Sequence, residues 1–250
     1  MLSESPIRIL DDAALDGPTN MARDEVLLNF VGQGLSPPTL RLYEWDPPTI
    51  SLGYFQPYTM YEELPAPAGE LPVVRRTTGG GAILHDQELT YSFSLPVGHH
   101  FIKGKPSCLY DLMHRAVILS LADLGVTAQR CGETDDSGPA RGPFFCFARR
   151  HEADVLVGQE KIAGSAQRRT RDAVLQHGSI VVGNRYAQQP TAEVDLPLNE
   201  VITKLRTLLA DRIAQSIETV MQPGAWTSVE LAAVEATRTK YDGDEWTRRC

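Results

Sequence analysis

The chain has no C-x-x-C pair: its four cysteines, Cys108, Cys131, Cys146 and Cys250, are widely and irregularly spaced. That spacing argues against a zinc ribbon. The start, "MLSESPIRILDDAALDG", lacks a basic stretch followed by an apolar one, so no signal peptide is expected and with it no disulfide framework. Long hydrophobic runs are missing as well. Uninterrupted apolar stretches such as "AVIL" fall far short of the roughly 18 residues of a membrane span. Excess positive charge is absent, and a net charge of -8 speaks against nucleic-acid binding as a bulk property. Internal repeats and low-complexity tracts are lacking too. The expectation is a cytoplasmic protein with free thiols, without membrane, nucleic-acid or metal partners.

What is present suits one domain with a sizeable core: 250 residues, 42% of them hydrophobic and 22% charged. "IRIL" reads as a strand, and "NMARDEVLLNFV" places Met21, Leu27, Leu28 and Val31 on one helical face. "LRLYEW" and "TISLGY" are β-rich and separated by "DPP". "LPVVRR", "AILHD" and "LTYSFSL" read as further strands. A helix follows through "CLYDLMHRAVILSLADLG", with Gly125 as its C-terminal cap. "RCGETDDSGPARGP" is a loop by composition. "DVLVGQEKIA" reads as a hairpin turning on a Gly-X pair, and "AVLQHGSIVV" as a strand. Helical patterns cover about 198–221 and 227–240, separated by "QPGAW". Strands joined by short links favour antiparallel pairing with helices segregated to a face or the ends, an α+β fold.

Two stretches invite chemistry. The first is "RTTGGGAILHD", residues 76–86, with three consecutive glycines. A dinucleotide site would want G-x-G-x-x-G opening a helix, and a phosphate loop would want G-K-[ST]; neither context is met. A glycine-rich turn between strands remains, its backbone able to lie against a flat or extended ligand. Arg75 and Arg76 on the entering strand suit a phosphate or carboxylate. A tight bend in the sheet explains the same residues equally well.

The second is "CFARRHEADVLVGQEKIAGSAQRR", in which Cys146 precedes Lys161 by fifteen residues. Small residues follow the lysine, Ala163, Gly164, Ser165 and Ala166, leaving space for a ligand or a close backbone. A lysine among apolar neighbours serves as an anchoring cation or a proton carrier. Cys146 beside Phe144, Phe145 and Phe147 can equally be a small buried hydrophobe. Between Arg141 and Arg171 seven basic residues face three acidic ones, which reads as a solvated face or as a docking surface for an acidic partner.

"NMARDEVLL", "LRLYEWDPPTISLGYFQ", "VVRRTTGGGAILHDQELTYSFSLP", "EKIAGSAQRR" and "LQHGSIVV" follow one another as in the lipoate-protein ligase and octanoyltransferase family, which the chain resembles through roughly residues 18–183. The ending "KYDGDEWTRR" looks like that family's C-terminal helix. The resemblance implies a mixed, largely antiparallel sheet flanked by helices, like class II aminoacyl-tRNA synthetases and biotin ligases. Residues 1–190 would form the acyl-transferase catalytic domain, and 191–250 a C-terminal helical segment packed on it, joined near Pro190–Pro197.

In one branch of the family, octanoate passes from acyl carrier protein through a cysteine thioester to a lysine of a lipoyl domain or the glycine cleavage H protein. Its nucleophile sits in a "CF" pair, which Cys146 and Phe147 match. The resemblance therefore implies Cys146 and Lys161 as catalytic, with Lys161 holding the thiol as thiolate and steadying the oxyanion. It implies substrate contacts from Arg75, Arg76, Thr78, Gly79, Gly80, Gly81, Ala82, His85, Gly164, Ser165, Ala166 and His177. No cofactor is required for that transfer.

Other members adenylate free lipoate with ATP and Mg and need no thiol. Asp154 lies near the place where those ligases carry an Asn-Asp pair, and the triple glycine is also more like theirs. Ala148, Arg149, Arg150 and His151 depart from the small polar pair that follows "CF" in the transferase branch. ATP-dependent lipoate ligation is thus the alternative, and a non-catalytic acyl-group or lipoyl-domain binding protein the third reading.

Overall fold

The computed structural model describes residues 6–102, 107–132 and 142–250. Strand β1 (Ile7–Asp11) leads to helix α1 (Gly17–Gly32), where the Asp16 carboxylate accepts the Thr19 amide at 2.8 Å and caps the first turn. The expected face of α1, Met21, Leu27, Leu28 and Val31, is buried. There follow β2 (Thr39–Tyr43), β3 (Thr49–Leu52), the single turn α2 (Thr59–Glu62), β4 (Val73–Arg75), β5 (Ile83–His85) and β6 (Glu88–Pro96). Helix α3 (Ser107–Asp123) ends as expected, with Gly125 in the left-handed region at φ 80°. The remainder is β7 (Ala128–Arg130), β8 (Val155–Val157), β9 (Glu160–Arg169), β10 (Ala173–Val181), α4 (Leu198–Ile217), β11 (Met221–Pro223), α5 (Ser228–Asp242) and α6 (Asp244–Thr247).

Among the described residues, eight strands form one sheet in the order β11-β1-β2-β6-β10-β9-β8-β7. β1 runs parallel to β2 and β11, and the other pairings are antiparallel. The architecture is the expected α+β one, a mixed, largely antiparallel sheet flanked by helices. Along β6, Leu89, Tyr91, Phe93 and Leu95 face a core shared with Leu109, Met113 and Val117 of α3 and Leu205, Leu209 and Ile213 of α4. The alternate residues, Glu88, Thr90, Ser92 and Ser94, are buried too. Ser92 reaches Asp24 of α1 at 2.8 Å, so both faces of this strand are covered.

Three local readings change. The helix expected over 198–221 ends early and β11 spans its end and the start of "QPGAW": α4 stops at Ile217, Glu218 turns the chain at φ 51°, and Met221–Pro223 add to β1. β7 begins just before the expected loop and pairs with β8; its residues show no apolar alternation that would announce a strand. Finally, the glycines do not close a hairpin. β4 and β5 lie on either side of β3, parallel and antiparallel to it, so residues 76–82 cross the end of that strand. Gly53 directly follows β3, and a Cβ there would stand 1.9 Å from the Gly80 carbonyl oxygen. The crossing is that tight. By contrast the β8–β9 hairpin turns on Gly158 and Gln159 as expected, with Gly158 at φ 60°.

Candidate active site

In the described stretch 142–154 ahead of β8, Cys146 opens a single helical turn. Backbone bonds secure it: the Ala82 amide donates to the Phe144 carbonyl at 3.0 Å, and the Cys146 amide donates to the Ala82 carbonyl at 2.7 Å. The glycine segment and the cysteine segment are therefore knitted together. Gly81 permits this, because a Cβ there would meet Phe144 O, Cys146 N and Cys146 Cα at 3.1–3.3 Å. Phe145 anchors in a cluster with Ile50, Leu52 and Leu84, and Phe147 packs with Ile83 and Val181.

Lys161, near the start of β9, is 4% exposed. Its Nζ lies 2.8 Å from Asp154 Oδ2 and 3.6 Å from Cys146 Sγ. Asp154 is itself held, accepting the His151 amide at 2.8 Å. A Cβ at Gly164 would stand 2.6 Å from Lys161 Cε and 2.8 Å from Nζ. Part of the space opened by the small residues after Lys161 is thus taken by the lysine itself.

Cys146 and Lys161 sit in the wall of a small apolar cavity of about 50 Å³. Met21, Tyr43, Trp45, Ile83 and Phe147 form much of the lining, together with the backbones of Gly79, Gly80 and Gly178. A thiol beside an ammonium in the wall of an apolar cavity, with a carboxylate holding the ammonium from behind the lining, suits acyl chemistry. A family model for the lipoyl protein ligase A/B catalytic domain matches residues 16–220. The chain belongs to this family.

Among its relatives are two proteins named octanoyltransferase LipM. The one from Halalkalibacterium halodurans is 31% identical over 97% of this chain and 98% of its own length. The one from Brevibacillus brevis is 32% identical over the same shares. A crystal structure of lipoate-protein ligase A bound with ATP superposes at TM-score 0.76 with 24% identity, covering 98% of this chain and 99% of that one. A bi-partite lipoate protein ligase from Thermoplasma acidophilum gives 0.69 at 19% identity, covering 98% and 96%. At such identities the structural matches speak for the lipoate-ligase fold alone.

Of the residues singled out in the sequence, Cys146, Lys161, Arg76, Gly79, Gly80, His85, Gly164, Ser165, Ala166 and His177 line the cavity. Four stand outside its lining. The Arg75 guanidinium is fully buried on backbone carbonyls, Gly53 at 2.8 Å, Gln56 at 2.7 Å and Thr247 at 2.8 Å, and ties the C-terminal turn to the loop after β3. Thr78 is buried against His177 Nε2 at 2.7 Å, and Gly81 and Ala82 face the Cys146 segment. Both site histidines are engaged on each ring nitrogen. His85 bonds Ser51 Oγ at 2.6 Å and Glu88 Oε1 at 2.8 Å, stacks on Trp45, and burial holds its pKa below the usual imidazole value. His177 meets Asp24 Oδ2 at 3.0 Å besides Thr78. Both stand in the lining of the cavity.

The reading missed Tyr43, Trp45 and Met21, which come from segments whose pattern announced only core. Lys161, counted in the basic stretch but also expected among apolar neighbours, is buried. Arg141 lies outside the described residues. Arg150 and Arg168 are exposed, and Arg149 is half-buried with its guanidinium on the Pro143 carbonyl.

Proposed function

We propose that the protein transfers an octanoyl group from an octanoyl-acyl carrier protein thioester to a lysine of a lipoyl domain or the glycine cleavage H protein, in the cytoplasm, through an acyl-enzyme on Cys146. The observation that carries this is the Cys146 thiol 3.6 Å from the Lys161 ammonium at the wall of an apolar cavity. The octanoyltransferase names of relatives above 30% identity point the same way. On this reading residues 1–190 supply the catalytic unit and 191–250 pack on it.

The Cys146 thiolate attacks the donor carbonyl, and the acyl chain lies in the cavity, where burial is worth about 0.8 kcal/mol per methylene. The tetrahedral intermediate expels the donor thiolate, which takes a proton from Lys161. The neutral amine of Lys161 then accepts a proton from the acceptor ammonium. The acceptor nitrogen attacks the acyl-enzyme, the amide forms, its second proton passes to solvent, and the Cys146 thiolate leaves. Asp154 holds Lys161 at the sulfur throughout. The donor is already activated, so no nucleotide enters.

ATP and Mg are called for only if the chain adenylates free lipoate. Intact-mass measurement after mixing with octanoyl-acyl carrier protein, without nucleotide, decides: an octanoyl adduct supports the transferase. Acylation that needs ATP and free acid establishes the ligase, and neither, with retained binding, a binding protein.

Donor docking follows from charge. Acyl carrier proteins are acidic, as the family resemblance implies, while this chain carries -8, so encounter requires a local basic face such as Arg149 and Arg150 beside the Cys146 turn. Arg149→Glu with Arg150→Glu is expected to slow acylation by carrier protein about tenfold at low salt, and salt should slow the wild type more than the variant. Turnover of a small soluble octanoyl thioester should be spared. Equal loss on both donors would assign these arginines to shaping the site instead.

A further inference from the structure

Helix α3 turns Leu109, Met113, Val117 and Leu121 into the core, and among them it buries an imidazole, His114, 1% exposed. The transfer steps make no use of this ring, yet both its nitrogens are engaged. Nδ1 meets the Ala153 carbonyl, and Nε2 stands 2.7 Å from Ser165 Oγ. A carbonyl only accepts, so Nδ1 carries the hydrogen. Burial pulls the ring down to about 4, which leaves Nε2 bare at neutral pH to accept from the Ser165 hydroxyl. Of the charged groups around it, Asp154 favours a second proton, whereas Arg130 and Lys161 oppose one. Ser165 Oγ in turn accepts Gln176 Nε2 at 3.0 Å, so the bonds run in one direction from Gln176 to Ala153.

Register decides what the ring joins. β8 begins at Val155, which pairs with Ala163 of β9, and Val155 is the end of their ladder on that side. Two residues further along each segment stand Ala153 and Ser165, the two groups that His114 bridges. Between them lie Asp154 and Gly164, where the Asp154–Lys161 pair is packed. A Cβ at Gly164 would stand 3.1 Å from Asp154 Oδ1 and 2.8 Å from Lys161 Nζ. The imidazole thus takes over from the ladder at the point where the ammonium is held, 3.6 Å from Cys146 Sγ.

We infer that His114 is a positioning residue for the transfer: by bridging Ala153 and Ser165 it fixes the spacing of the segments that carry Asp154 and Lys161, and so the distance of the ammonium from the sulfur. This rests on the reading of Cys146 as nucleophile and Lys161 as proton carrier. His114 lies outside the cavity lining, so its effect passes through Asp154.

Two measurements on the full chain test it. In steady-state transfer from octanoyl-acyl carrier protein, His114→Leu should lower kcat about tenfold and leave KM within about twofold, since the group it displaces moves protons. Asp154→Asn combined with His114→Leu should be no slower than Asp154→Asn alone, because the imidazole acts through that carboxylate. Losses that multiply would overturn the inference and assign His114 to the core alone.

The second measurement needs no transfer reaction. Acetic anhydride, followed by mass spectrometry of peptides, should label Lys161 about fivefold faster in His114→Leu than in wild type, because the bridge no longer resists local opening. Exposed Lys204 serves as the unchanged reference. Ser165→Ala opens the bridge from its other end by removing one oxygen and should speed labelling likewise. It carries the decision if circular dichroism shows that His114→Leu fails to fold. Equal labelling of Lys161 in wild type and variants would overturn the inference. Faster labelling in the variants of a protein that forms no acyl-enzyme would sink the transferase reading and leave the bridge standing.

Discussion

Cys146→Ala is expected to abolish the octanoyl adduct and all nucleotide-independent transfer, while Cys108→Ser and Cys131→Ser change turnover less than twofold. The contrast rests on position. Cys146 lines the cavity within reach of Lys161, whereas Cys108 is exposed and Cys131 is only half-buried outside it. Cys146→Ser should fold, since it differs by one atom, yet its hydroxyl is a far weaker nucleophile at neutral pH. It should therefore stall or trap an oxygen ester at a trace level. Intact mass and a single-turnover assay read both outcomes. Full activity of Cys146→Ala with ATP and free lipoate would replace the transferase by the ligase.

Lys161→Ala should lower transfer by roughly a hundredfold to ten-thousandfold, the range for a positioned proton carrier. It should also destabilise the protein by about 3 kcal/mol, because it leaves the buried Asp154 carboxylate without its cation. The double variant Lys161→Ala, Asp154→Asn separates the two effects: stability should largely return and transfer should not. Gly164→Ala provides an independent check. Its methyl group would press on Lys161 Cε at 2.6 Å, the end of a flexible side chain, so the ammonium shifts and the fold survives. Transfer by Gly164→Ala should fall at least tenfold with little change in denaturation midpoint. Wild-type turnover in Gly164→Ala would show that the ammonium position at the sulfur does not limit the reaction.

How much of this was legible beforehand differs from element to element. The amphipathic face of α1 and the Gly158 hairpin follow from local rules, periodicity and turn chemistry, and both are found. So are the five ordered motifs that led to the family. β6 misleads by the same rules: "ELTYSFSL" alternates strictly, which normally marks one wet face, yet Glu88, Thr90, Ser92 and Ser94 are buried. The partners of Glu88, Thr90 and Ser92, namely Asp24, Trp45, His85 and Ser179, come from four other segments, and no single window of sequence contains them all.

The sequence by itself determined the fold class and the family, because these depend on residue type and on order along the chain; a partnership of Cys146 with Lys161 was only what the family resemblance implied. Tertiary structure alone decided what each charge does. Arg75 and Arg76 are neighbours of identical chemistry, yet one ties the C-terminal turn to the loop after β3 and the other clasps the glycines at the cavity wall. Successive side chains on a strand point to opposite faces, and which face meets the cavity depends on the register of β4 beside β3. The partner of Lys161 was hidden likewise, since Asp154 reaches it only through the pairing of β8 with β9. The glycines, too, serve mainly the protein's own backbone: Gly53 against Gly80, and Gly81 against Cys146, are approaches between segments far apart in the chain. Their spacing is set by how the strands pack, a property that composition does not carry.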